Sequence, residues 1–427
     1  MSYTPTRIAS YIGYVIQAIV NNLTPLLFVT FNRDFSVSTE KLASLIALNF
    51  CIQIGVDLAS SLFVDRIGYR ASVLAAHFFA CGGFILLSFL PYYIDPFTGI
   101  LVATVFTAIG GGLLEVVISP IVEALPSQKK ASQMAILHSF YCWGQMAVVL
   151  LSLLFFALAG IQNWRFLALS WASVPFLNFL LFARVPLCKL PEEAPPSSLQ
   201  SAEDAPGRAK LLTPFFFACI VLMLCAGATE LSVSQWSSMF AEKGLGVSKT
   251  VGDLLGPCAF AAMMGIGRVL YGLFGERIKI ECALAFSGLL GVLAYLLTAL
   301  APSPLLSLVG CFIAGLASAL LWPGTYSLGA SRMRTGGTVM FALFAMAGDI
   351  GASAGPALTG LVSGLVEKGG RIFSFFDGLS RTDAGFRSGF LVGTLFPLIL
   401  SVTAFVLWIG AFRRKKRDKK PLREKSC

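Results

Sequence analysis

Charged side chains are scarce in this chain. They make up 13% of its 427 residues, against roughly 25% in a soluble domain. Hydrophobic residues make up 56%, more than a water-soluble fold of this length can hide. Histidine is scarcer still: His77 and His138 are the only two, too few for a histidine-based metal site. The ten cysteines (51, 81, 142, 188, 219, 225, 258, 282, 311 and 427) contain no CxxC pair and mostly fall inside apolar runs. They read as apolar filler rather than as a disulfide or metal framework. No nucleophile–base pair or cofactor loop appears, and the glycine-rich runs lie within apolar segments, where helix packing accounts for them. The expectation is therefore no enzyme, no cofactor, no metal and no nucleic-acid partner.

Long apolar runs are what the chain does have. Ile100–Ile118, Met134–Gly160, Ala283–Leu300 and Leu305–Leu321 are each long enough to cross a hydrocarbon core of ~30 Å at about 1.5 Å per residue. With no water at that depth, such runs must be helical, and transmembrane strands of about ten alternating residues do not fit. The first apolar segment, from Arg7 to about Phe31, is too long for a signal-peptide core. It also carries Asn21, Asn22 and Pro25, so it reads as a retained first span. The predicted spans are 8–31, 41–63, 72–90, 98–124, 133–159 and 165–184, then 212–241, 252–273, 279–301, 304–330, 336–366 and 386–412. Between the sixth and seventh, residues 185–210 are rich in Pro, Ser and acid and read as a flexible linker. This divides the chain into a six-helix bundle over 1–184, the linker, a second bundle over 211–412 and a basic tail over 413–427.

Loop charge sets the expected orientation. Of the 32 Lys and Arg residues, 22 fall on the side holding both termini and the linker, nine on the other, and Arg268 lies within a span. The richer side is predicted to be cytoplasmic. The tail RRKKRDKKPLREK reads chiefly as an orientation signal.

The halves are related. Ser61-Leu-Phe-Val-Asp65-Arg66-Ile-Gly68-Tyr69-Arg70 follows the second span, and Gly272-Leu-Phe-Gly-Glu276-Arg277-Ile278 follows the eighth. Glu276 lies 211 residues after Asp65, and Arg277 lies the same distance after Arg66, the mark of a duplication. The first segment resembles the G-x-L-a-D-r-x-G-r-R/K signature of the major facilitator superfamily, with Ser61 and Tyr69 as departures. The resemblance implies an all-α fold of twelve transmembrane helices in two pseudo-symmetric halves. It also implies alternating access around a substrate bound between them. In that family the motif's acid sits against the start of the eleventh span, where Arg332 and Arg334 lie here. Asp65, Arg66 and Arg70 are therefore expected to form a conformational latch with Arg332 and Arg334. Glu276 and Arg277 are expected to form its counterpart against Lys129 and Lys130.

A closer resemblance covers about 35 residues of the fourth and fifth spans. Gly110-Gly-Gly-Leu-Leu-Glu115-Val-Val-Ile-Ser-Pro120 and Leu137-His138-Ser-Phe-Tyr-Cys-Trp-Gly144 are similar to the fucose permease branch of sugar–proton symporters. Those carry an Asp in the first span after an Asn-Asn-Leu step. Here Asn21-Asn22-Leu23-Thr24 is followed by Pro25, which leaves the sugar unnamed.

An ionisable side chain at the bilayer centre costs at least ~2.5–3.5 kcal/mol and needs a partner, a cavity or a function. Glu115 and Asp349 are the proton-coupling candidates. A carboxyl in a cavity that faces two solvents in turn can load a proton from one and release it to the other. Asn21, Asn22, His138, Tyr141, Trp143, Glu230, Gln235, Trp236 and Trp322 are the substrate-cavity candidates, since amides, carboxylates and ring faces suit a polyhydroxy ligand. Asp57 and Arg268, also 211 residues apart, read as structural charges near the membrane surface. The expected function is secondary transport of a small polar or sugar-like solute, coupled to a proton or another ion. The expected carrier works as a monomer in a bilayer, placed in a bacterial inner membrane. Efflux of hydrophobic compounds is the alternative, disfavoured because the fifth span has GQMAVVLLS where drug antiporters have G-x(3)-G-P. A non-transporting solute receptor is the third reading.

Overall fold

The computed structural model describes residues 3–37, 39–188, 213–248, 251–252, 254–333, 337–367, 369, 376 and 378–418. The predicted linker core and the end of the basic tail lie outside them. Among the described residues the regular structure is all helical. Eleven helices are long and apolar enough to cross a membrane. The first span is less apolar because it carries Gln17, Asn21 and Asn22.

That first span is α1 (Thr4–Leu26) followed by α2 (Phe28–Phe35). Pro25 sits in the last turn of α1, and the chain leaves the helix at Leu27, because proline removes a backbone donor and crowds the preceding turn. Then come α3 (Thr39–Ile67), α4 (Tyr69–Phe89), α5 (Pro96–Ala124), α6 (Lys130–Ala159) and α7 (Trp164–Arg184). The second half holds α8 (Pro214–Met239), α9 (Ala259–Phe274), α10 (Ile280–Leu300), α11 (Pro304–Ser318), α12 (Leu321–Arg332), α13 (Gly337–Glu367), α14 (Arg381–Gly393) and α15 (Leu395–Asp418). Three further predicted spans are interrupted. The tenth breaks between α11 and α12, the twelfth between α14 and α15, and the eighth opens with a π turn over Leu254–Cys258 containing Pro257. The twelfth span also begins earlier than its apolar run suggested. Arg387, at the predicted start of that span, is buried in α14. It pairs with Asp383 (2.6 Å) and donates to the carbonyls of Ala299 and Ala301 at the end of α10. The otherwise orphaned carbonyls of a helix terminus repay the burial of the cation.

Turns and glycines set the approach of the helices. A single residue, Gly68, joins α3 to α4 at φ 85°, a conformation that disfavours any side chain. The run Gly110-Gly111-Gly112 turns one helix toward three neighbours. A Cβ at Gly110 would meet the backbone of Ala80 in α4, one at Gly111 would meet Val20 in α1, and one at Gly112 would meet Val56 in α3. Helix α5 thus runs through the middle of its half, and Glu115 follows just below this wedge. The small-residue face of α13 performs the same service against α8. A Cβ on Gly351 would run into the carbonyl oxygen of Leu224. Backbone cannot yield to that as a side-chain tip can. Gly351→Ala is expected to cost ~3 kcal/mol of stability, at the upper end for overpacking, and to lower the apparent Tm of the purified protein in a thermal unfolding assay.

The halves meet along two seams. Helix α3 packs against α13, and α6 packs against α9. In the second seam Gly265 and Gly272 of α9 press on Trp143 and Ile136 of α6. The two helices come close enough there for a side chain between those glycines, Arg268, to reach the opposing backbone.

Candidate functional site

A cavity of about 960 Å³ lies between the halves, on the side of the molecule away from the start of α1. Its walls combine apolar surface with amides: Asn21, Asn22, Asn49, Gln145, Gln235 and Trp236 are among the lining residues. A smaller, polar hollow of about 60 Å³ forms its floor and shares Asn21, Phe50, Tyr141, Glu230 and Leu231 with it. Asn21 gathers one wall. Its Oδ1 accepts from Gln53 Nε2 (2.9 Å) and Asn49 Nδ2 (3.4 Å), while its Nδ2 donates to the Tyr141 hydroxyl (3.4 Å). Asn22 bonds back to the Ala18 carbonyl of its own helix.

The floor carries the charges. Gln17 of α1 donates to Glu115 Oε2 at 2.5 Å, and both side chains are more than 90% buried. One turn toward the closed side, the Tyr14 hydroxyl bridges Ser119 (2.7 Å) and His138 Nε2 (3.1 Å). His138 thus lies at the bottom of the floor rather than against the main chamber. Arg268 is 2% exposed and uses most of its donors. Its Nε donates to the carbonyl of Ala319 (3.0 Å), and Nη1 donates to the carbonyl of His138 (2.9 Å) and to Cys142 Sγ (3.0 Å). Nη2 reaches Glu230 Oε2 at 3.3 Å. The Ala319 carbonyl is available because the tenth span breaks there, and irregular backbone at membrane depth must find another donor. Arg268 is therefore a structural charge, as expected, but it joins α6, α8, α9 and the α11–α12 break in the floor of the cavity rather than near the surface. The position of a residue along its own helix does not fix where so long a side chain ends.

Sequence reading missed Tyr14, Gln17, Asn49 and Phe50 as cavity residues, and Gln53 as the donor that holds Asn21. They are neutral, and intramembrane polar residues give a strong signal only when charged. Trp322 lines the floor and lies over Gly348, beside Asp349. Trp236 donates to the carbonyl of Pro356 (2.9 Å) on the cavity wall. Trp143 is the exception among the cavity candidates. Its indole packs against Gly265 in the α6–α9 seam, because it faces away from Tyr141 on the same helix.

The opposite side is closed, and the acid-Arg motif takes part. Asp65 accepts from the Thr338 hydroxyl at the start of α13, and Thr338 is also hydrogen bonded to Tyr69. The expected arginine partners are placed otherwise. Arg332 pairs with Glu281 and lies 4.8 Å over the Phe215 ring. Arg70 donates to the carbonyls of Phe182, Ala183 and Val185 at the end of α7, so it ties one half to itself. Arg66 and Arg277 are exposed. Lys130 likewise caps α5 through the carbonyls of Glu123 and Leu125. Arg334 and the Glu276 side chain lie outside the described residues. The nine described cysteines are unpaired.

A polar floor between two helical halves, open to one side and closed on the other by the acid of the turn motif, agrees with the family match. The Major Facilitator Superfamily model matches residues 10–356. The chain belongs to the major facilitator superfamily. Comparison with curated proteins by sequence finds no match. Among solved structures, it resembles a major facilitator transporter, FucP, in the outward conformation, with a TM-score of 0.77 at 16% identity, covering 95% of this chain and 99% of that one. It resembles the proton:xylose symporter XylE bound to 6-bromo-6-deoxy-D-glucose with a TM-score of 0.77 at 12% identity, covering 95% and 94%. It resembles the human organic anion transporter MFSD10 (TETRAN) with a TM-score of 0.70 at 16% identity, covering 95% and 100%.

Proposed function

We propose that this protein is a proton-coupled secondary carrier of a small, neutral, polyhydroxy solute, with the structure in its outward-facing state. The observation that carries the reading is the composition of the cavity: amides and aromatic faces around the main chamber, with a carboxyl floor beneath. Hydroxyls on a ring are bound by amide hydrogen bonds and by stacking on Trp or Tyr faces. An anion is a poor fit, because the single floor cation, Arg268, already serves Glu230, two carbonyls and a thiol. The resemblance to a proton:xylose symporter supports the substrate class, and that to a transporter in the outward conformation supports the state. Glu115 carries the coupling proton in this reading. Glu230, held by Arg268, stays fixed. Loop charge supports placing the closed side, with both termini, in the cytoplasm. One chain encloses the whole cavity, which supports a monomer as the working unit.

Counterflow in proteoliposomes with labelled pentoses, hexoses and polyols tests the function. Saturable counterflow of one of them is the expected result. Counterflow of lipophilic cations alone would establish efflux instead, and binding without counterflow would establish a receptor.

The Asp65–Thr338 contact is proposed to steady the closed side. Asp65→Asn keeps the shape but weakens a charge-assisted bond to a neutral one, a loss of about 1 kcal/mol. The expected outcome is a several-fold shift toward the inward-facing state, read by labelling of cysteines placed along the cytoplasmic mouth. An unchanged balance would remove Asp65 from the latch.

A further inference from the structure

Two acids on α3 and α13, the helices of the first seam, have no role in the reading above. Asp57 of α3 is fully buried, and both of its carboxyl oxygens lack a hydrogen-bond partner. Asp349 of α13 is 3% exposed, and its Oδ2 is likewise unpartnered. Both lie above the Asp65–Thr338 contact on the same two helices. Asp57 is eight residues before Asp65 on α3, and Asp349 is eleven after Thr338 on α13. At about 1.5 Å per residue along two antiparallel helices, the aspartates stand two to three turns inside the closed end, within a turn of each other in depth.

Among the described residues, the floor beside them holds no Lys or Arg but the paired Arg268. The charged neighbours that act on Asp57 are Asp349 from α13 and Glu115 from α5. Glu115 also acts on Asp349, and the floor that Asp349 lines adds His138 and the Glu230–Arg268 pair. From α12, Tyr326 is buried in the field of Asp57, Asp349 and Glu115, and its hydroxyl has no partner. An ionised carboxylate at this depth with neither counter-ion nor donor is too costly to persist, and two neighbouring carboxylates do not both ionise.

We propose that Asp57 and Asp349 form a second proton-binding site, in the seam between the halves, whose occupancy holds the closed side shut. Loaded, the two carboxyls are neutral and carry no mutual repulsion, and α3 stays on α13. Emptied, they repel across a low-dielectric seam and take up water, and the helices part. Asp65 fastens the rim of the seam, and the aspartate pair makes its interior sensitive to proton supply. The proposal rests on alternating access and adds a proton beyond the one assigned to Glu115.

Hydrogen–deuterium exchange of the full-length protein in lipid nanodiscs tests it without a substrate. Exchange is followed in the segments around 58–68 and 337–345 at mildly acidic and mildly alkaline pH, corrected for the intrinsic pH dependence. Wild-type protein is expected to open these segments at alkaline pH, with exchange rising about tenfold or more. Asp57→Asn mimics the protonated carboxyl and should stay protected at both pH values. Asp349→Asn should do the same, and it secures the test if the first variant folds poorly. Wild-type pH dependence in both variants would overturn the aspartate pair alone. Loss of the dependence only in Glu115→Gln would also overturn it and assign the effect to Glu115. Protection of both segments at every pH in all proteins would overturn the pair together with the alternating-access reading.

Discussion

Proteoliposomes carrying Glu115→Gln are expected to support solute counterflow but not to concentrate solute when a proton gradient is imposed. Accumulation falls from a driven gradient to simple equilibration. The geometry makes the substitution clean. Glu115 accepts one strong hydrogen bond, from Gln17 Nε2, and a glutamine at 115 can accept the same bond through its amide oxygen. Shape and packing in the glycine wedge survive, while the exchangeable proton is lost. Glu115 lines the floor below the open cavity, where a carboxyl can take a proton from the open side and release it when the cavity opens to the other. Accumulation at wild-type level, with unchanged dependence on external pH, would remove Glu115 from the coupling mechanism.

Arg268→Ala is expected to be the most destabilising single change in the floor, at about 3–5 kcal/mol, the cost of removing one partner from a buried, hydrogen-bonded ion pair. The loss has three parts. Glu230, itself buried, loses its counter-ion and must bear an unpaired charge or give it up by taking a proton, either at a cost. The Ala319 carbonyl, freed by the break in the tenth span, loses its donor. The α6–α9 seam loses the link to the His138 carbonyl. Arg268→Lys keeps the charge near Glu230 but cannot serve these acceptors with one planar fork, so an intermediate loss is expected. Adding Glu230→Gln to Arg268→Ala should restore part of the stability, because the orphaned charge disappears. Thermal unfolding of the purified protein measures all three. Wild-type stability in Arg268→Ala would show that the guanidinium network is dispensable.

The contrast between Glu115 and Arg268 shows what was legible in the sequence. Glu115 stood out because it is a lone acid just after three glycines in a long apolar run, and the structure places it in the floor. Arg268 stood out equally as a charge in a span, yet its meaning was missed. Its role depends on two other helices, α6 and α8, and on a backbone break at Ala319. Gln17 gave almost no signal, because a neutral amide near the start of a weakly apolar helix has many unremarkable explanations. The latch divides in the same way. Asp65 was expected at the start of the eleventh span and is found there. Arg332 and Arg70 instead serve Glu281 and the end of α7, since a long cation takes whichever anion or carbonyl the fold brings within reach.

The sequence by itself determined the number of spans, the division into related halves and the family, because length, hydropathy and a turn motif are properties of local stretches of chain. A bilayer leaves such stretches only one backbone solution. Which side chains share a cavity, which cation meets which acid and which side is closed were decided by the tertiary structure. Those facts follow from the rotation of each helix about its axis and from the depth at which glycines let neighbours approach. No single span encodes either one.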